Sequence, residues 1–196
     1  MIAFRNPLFD DQLRRTIGHG TYGGAELGEC LSTSARVIDG DRESWYRAWW
    51  SLADRTFAAA ESSAAHGHRE SARCAFLRAS NYYRNAYVFH LEAPLPALVR
   101  EAYRRHRDAF QRATAAMTRP PEPIAIPFED TTLPGYFCAV DETRRPLIIS
   151  IGGYDSTAKE SYFFNGAAAL ARGYHALIFD GPLHQRESCS VSRAGV

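Results

Sequence analysis

Three stretches in the first part of the chain carry apolar residues at helical spacing. Residues 41–66 place large apolar side chains three or four positions apart, with Asp41 as a plausible N-cap and Gly67 as a plausible terminator. Residues 68–89 repeat the pattern with many aromatic residues, and a third stretch runs from Pro96 to about residue 117. The sequence therefore predicts three amphipathic helices.

The character of the chain changes on either side of these helices. Residues 1–40 are mixed in character, with a glycine-rich patch at residues 18–28. Residues 119–123 (RPPEP) form a stiff linker, beyond which the spacing becomes extended. Residues 124–128 and 136–140 predict two strands, joined by a turn around Leu133-Pro134-Gly135.

The last part of the pattern predicts a strand, a helix and a parallel strand. Residues 146–151 (PLIISI) form a short β-branched run of the kind found in strands buried on both faces. Residues 161–171 have helical spacing, and Gly173 stands where a left-handed residue would end that helix. Residues 175–179 (HALIF) form the second strand of the βαβ unit.

A glycine turn, Gly152-Gly153-Tyr154-Asp155, follows the first strand of this unit. It lies at the carboxyl edge of the predicted parallel sheet, where α/β enzymes bind ligands. Two interpretations stay open from the residues alone. The turn could stabilise negative charge with backbone N–H groups, or its glycines could only relieve strain between a strand and a helix.

The same stretch resembles the α/β-hydrolase superfamily through GGYDST, ARGY and FDGP. The motifs YGGAELGEC, SWYRAWWSLADR, LRASNYYRNAYVF and IPFEDTTLPGYF extend the resemblance over residues 13–182. It is greatest to the branch with a helical N-terminal region, which includes the 2,6-dihydroxypseudooxynicotine hydrolase type and dipeptidyl aminopeptidase-like proteins. The expected fold is therefore α/β, with a helical N-terminal cap followed by the first half of an α/β-hydrolase sheet.

The resemblance also implies a chemistry. Full-length relatives would use a Ser–Asp/Glu–His triad on an ester, an amide or a carbon–carbon bond next to a carbonyl, with a small-molecule substrate and no cofactor. One oxyanion donor comes from the loop after this strand, which implies the Tyr154 amide first, Gly153 second and Gly152 as part of the same turn. Asp180, in the FDGP turn, is expected to shape the rim.

No G-x-S-x-G nucleophile elbow occurs in the 196 residues. After Pro182 the sequence is polar and irregular, which suggests a hydrolase truncated before its nucleophile, with a shifted reading frame as one cause. We therefore expect no catalytic residue in this chain and no activity of the chain alone. The expected domains are a helical region (1–120), a partial hydrolase core (121–182) and an irregular tail (183–196).

Other motifs compete with this interpretation. A helical-repeat-like interaction module is the alternative function, although no 34-residue repeat supports it. Gly18, Gly20 and Gly23 match the dinucleotide fingerprint, but no strand precedes them. A third set of candidates comprises an aromatic substrate pocket (Trp45, Trp49, Trp50, Tyr82, Tyr83, Tyr87), a metal group (His66, His68, Cys74), and the polar residues Ser150, Ser156 and His184.

For these candidates the sequence favours structural roles. Aromatic residues at i, i+4 are more often core residues, while Trp50 is out of phase and could face solvent or a partner chain. The two histidines straddle a helix break, which disfavours a metal site. Neither Ser150 nor Ser156 stands in an elbow, and His184 lies in the irregular tail.

Composition narrows the partners and the compartment. The net charge of +1 gives no electrostatic case for nucleic acid or for an anionic membrane. The spacing of Cys30, Cys74, Cys138 and Cys189 suggests free thiols, and no signal peptide or bilayer-length apolar run is present. These features predict a cytoplasmic protein without a metal, and a homodimer is left open.

The missing half of the sheet predicts an exposed strand edge. In the superfamily, the strand at residues 147–151 would lie beside the strand that carries the nucleophile. We expect the chain to associate through this edge or to be poorly soluble, because unpaired N–H and C=O groups beside apolar side chains invite edge-to-edge pairing.

Overall fold

A computed structural model describes residues 1–182, which divide into two compact units. The first unit is Met1–Met117, and the second begins at Thr118. The predicted tail, together with His184 and Cys189, lies outside the described residues. The three-part domain division stays a prediction.

The first unit is helical. Its helices are α1 (Pro7–Gly18), α2 (Leu27–Ser34), α3 (Arg42–Ala65), α4 (Arg69–Tyr87) and α5 (Ala97–Ala115), with a 3₁₀ turn at His19–Tyr22. Helix α4 packs along α3 on one side and along α5 on the other. Because it lies between them, every side chain from Ala79 to Tyr87 is buried.

The ends of the long helices follow the predicted signals. Asp41 Oδ1 accepts hydrogen bonds from the N–H groups of Glu43 (2.9 Å) and Ser44 (3.2 Å), as an N-cap does. Gly67 has φ +74°, the left-handed conformation that ends a helix at little cost for glycine. The three predicted helices are confirmed, with small differences at their ends.

Residues 1–40, in which the apolar spacing identifies no individual element, form two helices. Asn6 caps α1 through its side-chain oxygen, Pro7 occupies the first turn, and Glu26 caps α2. Inside α1, the carboxylate of Asp10 accepts hydrogen bonds from backbone N–H groups that precede the helix. The few apolar positions of these short helices gave little periodicity, so their caps were the informative signal.

Aromatic side chains fill the core of the helical unit. The Trp45 ring lies 4.9 Å from the Phe9 ring and 5.0 Å from the Phe89 ring, measured between centroids. Its indole Nε1–H donates to the Asn85 carbonyl oxygen at 2.8 Å, so the buried polar atom is satisfied. This arrangement ties α1, α3 and α4 together.

The second unit contains one four-stranded sheet. Its strands are β1 (Glu122–Phe128), β2 (Thr131–Cys138), β3 (Leu147–Ile151) and β4 (His175–Phe179), in the spatial order β1-β2-β4-β3. The pair β3–β4 is parallel and the other pairs are antiparallel. The prediction of one sheet whose last two strands are parallel is confirmed.

The predicted hairpin turn is wrong. The chain turns at Glu129, which has φ +48°, and Pro134 and Gly135 lie inside β2. Pro134 lies just beyond the end of the β2–β4 ladder, where its carbonyl oxygen still accepts from the Asp180 N–H at 2.9 Å. A Cβ on Gly135 would lie 2.6 Å from the Phe179 side chain, so the close approach of β4 requires glycine at this position.

The crossover helix joins β3 to β4. It consists of α6 (Ala158–Ser161), a π-helical turn (Tyr162–Gly166) and α7 (Ala167–Ala171). Thr157 caps it by accepting the Glu160 N–H at 3.1 Å, and Gly173, with φ +80°, follows its end as predicted. The helix packs on β4, and Gly166 lies close to Ile178.

The prediction that β3 is buried on both faces is wrong. The side chains of Leu147, Ile149 and Ile151 are 45%, 63% and 56% exposed. They share one face of the strand. On the other face Ser150 is buried and bonded to Asn165 of the crossover helix, while Ile148 is 39% exposed. A β-branched run indicates a preference for strands, but it does not show how many faces of the strand other elements cover.

Candidate active site

The glycine turn begins where β3 ends. The Gly152 N–H donates to the Phe179 carbonyl oxygen at 3.4 Å, which extends the ladder between β3 and β4 by one step. A Cβ on Gly152 would lie 3.1 Å from Ser156 Oγ, so the turn folds tightly over this glycine. The amide of Gly152 is therefore already engaged in the sheet.

Tyr154 stands at the apex of the turn. The Gly153 carbonyl oxygen accepts from the Ser156 N–H at 3.0 Å and closes the turn below it. Within residues 1–182, no acceptor is paired with the Tyr154 N–H, and the Tyr154 side chain is 72% exposed. A Cβ on Gly153 would meet no atom within 4 Å, so there is room for a substrate atom beside the turn.

Asp180 holds the far side of this turn. Its carboxylate Oδ1 accepts the Ala158 N–H at 2.5 Å, at the start of the crossover helix. The side chain is buried at the end of β4, and its backbone N–H is bonded to Pro134 of β2. Asp180 therefore links three segments, which fits the structural role that the family resemblance implies.

The two serines near the turn have structural surroundings. Ser150 Oγ accepts a hydrogen bond from Asn165 Nδ2 at 2.8 Å, and Ser156 packs against Gly152. In the second unit's described residues, the nearest imidazole in the sheet is that of His175. Its Nδ1 faces the Val140 N–H at 3.2 Å and its Nε2 faces the Thr143 carbonyl at 2.9 Å, so both ring nitrogens are used locally.

Sequence reasoning overlooked two buried charged residues beside the turn. Lys159 and Glu160 are buried at the start of the crossover helix, although the sequence pattern begins that helix later. The Lys159 Nζ lies 5.8 Å from the centroid of the Tyr136 ring, within reach of a cation–π interaction. Lys159 is the chain's single lysine, and this was the feature of the sequence that could have drawn attention to it.

The glycine fingerprint lacks the setting of a nucleotide site. Helix α1, and not a strand, leads into Gly18, while Gly23 has φ +79° in the loop that follows. Asn81 of α4 donates to the Gly24 carbonyl oxygen at 2.8 Å and bonds His19 at 2.9 Å. These hydrogen bonds attach the loop to the helical core. They join two of the motifs that carry the family resemblance, YGGAELGEC and LRASNYYRNAYVF.

The aromatic candidates belong to the core of the helical unit. Five of them are buried: Trp45, Trp49, Tyr82, Tyr83 and Tyr87. Trp50 is half-buried and stacks on Tyr46 with a centroid distance of 5.6 Å, while its edge meets Tyr83. These contacts support the core interpretation over a dedicated substrate pocket within this unit.

The metal candidates do not form a ligand set. The rings of His66 and His68 stack with centroids 6.1 Å apart, and no His, Cys, Asp and Glu group suited to a metal ion occurs in residues 1–182. Cys30, Cys74 and Cys138 are free. Burial raises the pKa of the Cys30 and Cys138 thiols to about 12, which keeps them protonated and unreactive.

Across the part of the chain that is described, no helix combines the length and apolar character needed to cross a membrane.

No family model matches the chain. It is 37% identical over 186 residues to Hydrolase LUC6 from a Fusarium species, covering 91% of this chain and 44% of that protein. It is 37% identical over 187 residues to the 20-hydroxy-prefusarin hydrolase FUS2 of Gibberella moniliformis, with 92% and 44% covered. The α/β hydrolase gkaG of Penicillium citrinum is 37% identical over 182 residues, with 89% and 42% covered.

Solved structures agree on the fold. The 2,6-dihydroxy-pseudo-oxynicotine hydrolase superposes with a TM-score of 0.66 at 23% identity, covering 84% of this chain and 45% of that one. AbyA5 superposes with a TM-score of 0.52 at 19% identity, covering 83% and 43%. The described residues therefore have part of this hydrolase fold, and the chain spans less than half the length of the curated relatives it matches.

Proposed function

We propose that this chain, which has part of the α/β-hydrolase fold and hydrolases among its relatives, is the amino-terminal portion of a serine hydrolase. The complete enzyme would act on an ester, an amide or a carbon–carbon bond next to a carbonyl in a small molecule. In this proposal the chain supplies the helical region and one side of the oxyanion hole. The observation that carries it is the Tyr154 amide, which stands at the carboxyl end of β3 beside open space.

The chemistry requires such a donor. Attack by a serine on a carbonyl carbon moves negative charge onto the carbonyl oxygen, and a fixed N–H group stabilises that charge without having to reorganise. The removal of one donor of this kind typically costs about 3 kcal/mol in the transition state. Tyr154 is the first candidate donor and Gly153 is the second, since the Gly152 N–H already bonds Phe179.

The substrate class rests on the relatives. One is named for 20-hydroxy-prefusarin, and a structural neighbour is named for 2,6-dihydroxy-pseudo-oxynicotine. Both names denote small organic molecules, which favours a small-molecule substrate over a polymer. The helical interaction module has no comparable support, because the hydrolase relatives match about nine-tenths of the chain, and this match includes the sheet.

The catalytic serine is expected outside these 196 residues, which contain no G-x-S-x-G elbow. Without a nucleophile and its base, the acyl-enzyme cannot form. We therefore expect the purified chain to show no turnover of p-nitrophenyl acyl esters above background and no labelling by a fluorophosphonate probe. Saturable, probe-sensitive activity would show that one of the chain's own serines is a nucleophile.

A chimera supplies the positive test. In Hydrolase LUC6, the matched region would be replaced by the corresponding residues of this chain, so that the nucleophile comes from LUC6. The proposal predicts that the chimera regains esterase activity and fluorophosphonate labelling. A matched variant that keeps the chimera's fold but has the labelled serine changed to alanine should be inactive. A folded chimera that is labelled but never turns over any acyl ester would contradict the proposed role of this half.

A further inference from the structure

Two asparagines of helix α4 have opposite hydrogen-bond surroundings. The protein satisfies Asn81, whose Oδ1 bonds the His19 ring at 2.9 Å and whose Nδ2 donates to the Gly24 carbonyl oxygen at 2.8 Å. Asn85 lies about one turn further along the helix and is fully buried. Among residues 1–182, neither its Oδ1 nor its Nδ2 has a hydrogen-bond partner, so exchanging the two ends of the amide would not supply one.

Two tryptophans of helix α3 show the same contrast. The Trp45 Nε1–H donates to the Asn85 carbonyl oxygen at 2.8 Å, whereas the buried Trp49 Nε1–H has no acceptor in the part of the chain that is described. The Trp49 ring lies 5.5 Å from the Trp45 ring and 5.8 Å from the ring of Tyr82, measured between centroids. Tyr82 precedes Asn85 by three residues in α4. Trp49 therefore packs against residues on both sides of Asn85, in the same region of the core.

The chemistry of these groups defines what could satisfy them. A buried donor or acceptor that loses water without gaining a partner destabilises the fold, so such groups are nearly always paired. The Asn85 Oδ1 requires a donor, while the Asn85 Nδ2 and the Trp49 Nε1 require acceptors. The occupant must therefore donate and accept, and it must be small enough to lie among packed aromatic rings. Water meets these conditions.

We infer that the helical unit has an internal water site where α3 and α4 meet, holding two water molecules at Asn85 and Trp49. The first accepts from the Trp49 Nε1–H and donates to the Asn85 Oδ1. The second accepts from the Asn85 Nδ2 and bonds the first. Two molecules are needed because Oδ1 and Nδ2 diverge from one carbon atom, so a single water cannot bond both in good geometry.

Such a site agrees with what is usual for a protein core. Globular proteins hold about one buried water per 27 residues, typically with two to four partners each. The helical unit, Met1–Met117, would hold about four on that basis. Asn85 and Trp49 are both fully buried, so the site does not depend on any exposed surface. It is also independent of the proposed catalytic function.

The direct test is water-selective NMR on the full chain. The Trp49 Nε1–H and the Asn85 side-chain NH₂ should show Overhauser contacts with water that stays bound for longer than the protein takes to tumble. The matched controls are the Trp45 Nε1–H and the Asn81 side-chain NH₂, which donate to carbonyl oxygens of the protein. These controls should show no such contact.

A variant tests whether the two groups share one site. Asn85→Leu replaces the amide with an apolar side chain of similar size, so both waters should leave and the Trp49 Nε1–H should lose its water contact. Oxygen-17 relaxation dispersion of the solvent should count two fewer long-lived waters than in the wild type. Tyr83→Phe removes a hydroxyl that already bonds Asp54, and it should leave the count unchanged. Circular dichroism confirms that both variants fold.

Two results would overturn the inference. One is a wild-type chain in which the Trp49 Nε1–H has no contact with long-lived water, as when it donates directly to the Asn85 Oδ1. The other is a folded Asn85→Leu variant that keeps both the water contact at Trp49 and the number of long-lived waters. That result would show that Asn85 does not hold the water.

Discussion

The helical unit and the sheet unit bury their apolar residues to different degrees. In the first, Trp45, Trp49 and Phe110 are fully buried, and each long helix packs on a neighbour. In the second, Ser150 is the one buried residue of β3, and Leu147, Ile148, Ile149 and Ile151 are exposed. The helical unit thus has a closed core of its own, whereas the sheet needs a further layer or strand, as α/β architectures do.

The largest expected effect is in the closed core. Trp45→Ala removes a fully buried ring that contacts Phe9 and Phe89, together with the hydrogen bond to the Asn85 carbonyl. We expect a loss of about 3–5 kcal/mol in the free energy of unfolding, measured by urea denaturation. Trp45→Phe, which keeps most of the ring, is the control and should lose less. Equal losses in both variants would assign the effect to the hydrogen bond with Asn85, which both variants remove, and not to the packing of the ring.

A smaller effect is expected at the link between β4 and the crossover helix. Asp180→Ala leaves the buried Ala158 N–H without its acceptor, which should cost about 1–3 kcal/mol. Asp180→Asn keeps an acceptor oxygen at Oδ1 and should recover much of that loss. Denaturation followed by near-ultraviolet circular dichroism measures both variants. If alanine and asparagine behave alike, the Ala158 hydrogen bond is not what makes Asp180 stabilising.

Acid should weaken the helical unit through Asp10. Backbone N–H groups of Ala3, Ile2 and Phe4 bond its carboxylate and hold its pKa well below the ordinary value. A lowered folded-state pKa contributes stability above the unfolded pKa of about 4, and that contribution is lost as the pH falls toward the folded value. Melting temperatures between about pH 5 and pH 2 should therefore fall more steeply for the wild type than for Asp10→Asn. Parallel curves would contradict this role.

The smallest effect is expected on the open face of the sheet. Ile149→Ser replaces a side chain that is 63% exposed, so the stability of the monomer should change by no more than about 0.5 kcal/mol. Denaturation at a concentration where the chain is monomeric makes the measurement. A loss as large as that of Trp45→Ala would show that Ile149 is covered, and the contrast between the two units would disappear.

The sequence predicted elements whose signals are local. Asp41 and Gly67 mark the ends of α3, and the i, i+4 aromatic residues identified the core that α3 and α4 share. Leu133-Pro134-Gly135 has the composition of a turn, but it lies in β2. The glycine is required there by the close approach of Phe179, which the local sequence does not show. Contacts between residues distant in sequence decide such positions, and residue types alone do not show them.

The candidate site shows the same division. The position of the Gly152–Tyr154 turn after β3 could be predicted, because two glycines directly follow a run of β-branched residues. The engagement of the Gly152 amide depends on the register between β3 and β4, and the bond from Asp180 to Ala158 spans 22 residues. The exposure of β3 could not be read from its β-branched side chains, since these suit an edge strand and a central strand equally well.

The most direct test of the central claim removes the Tyr154 N–H from the glycine turn. In the active chimera with LUC6, Tyr154→Pro deletes this N–H together with the phenol ring, while Tyr154→Ala deletes the ring and keeps the N–H. The account predicts that kcat falls by about 10²–10³-fold for proline relative to alanine, with little difference in KM between the two variants. A folded proline variant with unchanged kcat would show that the Tyr154 amide does not stabilise the oxyanion.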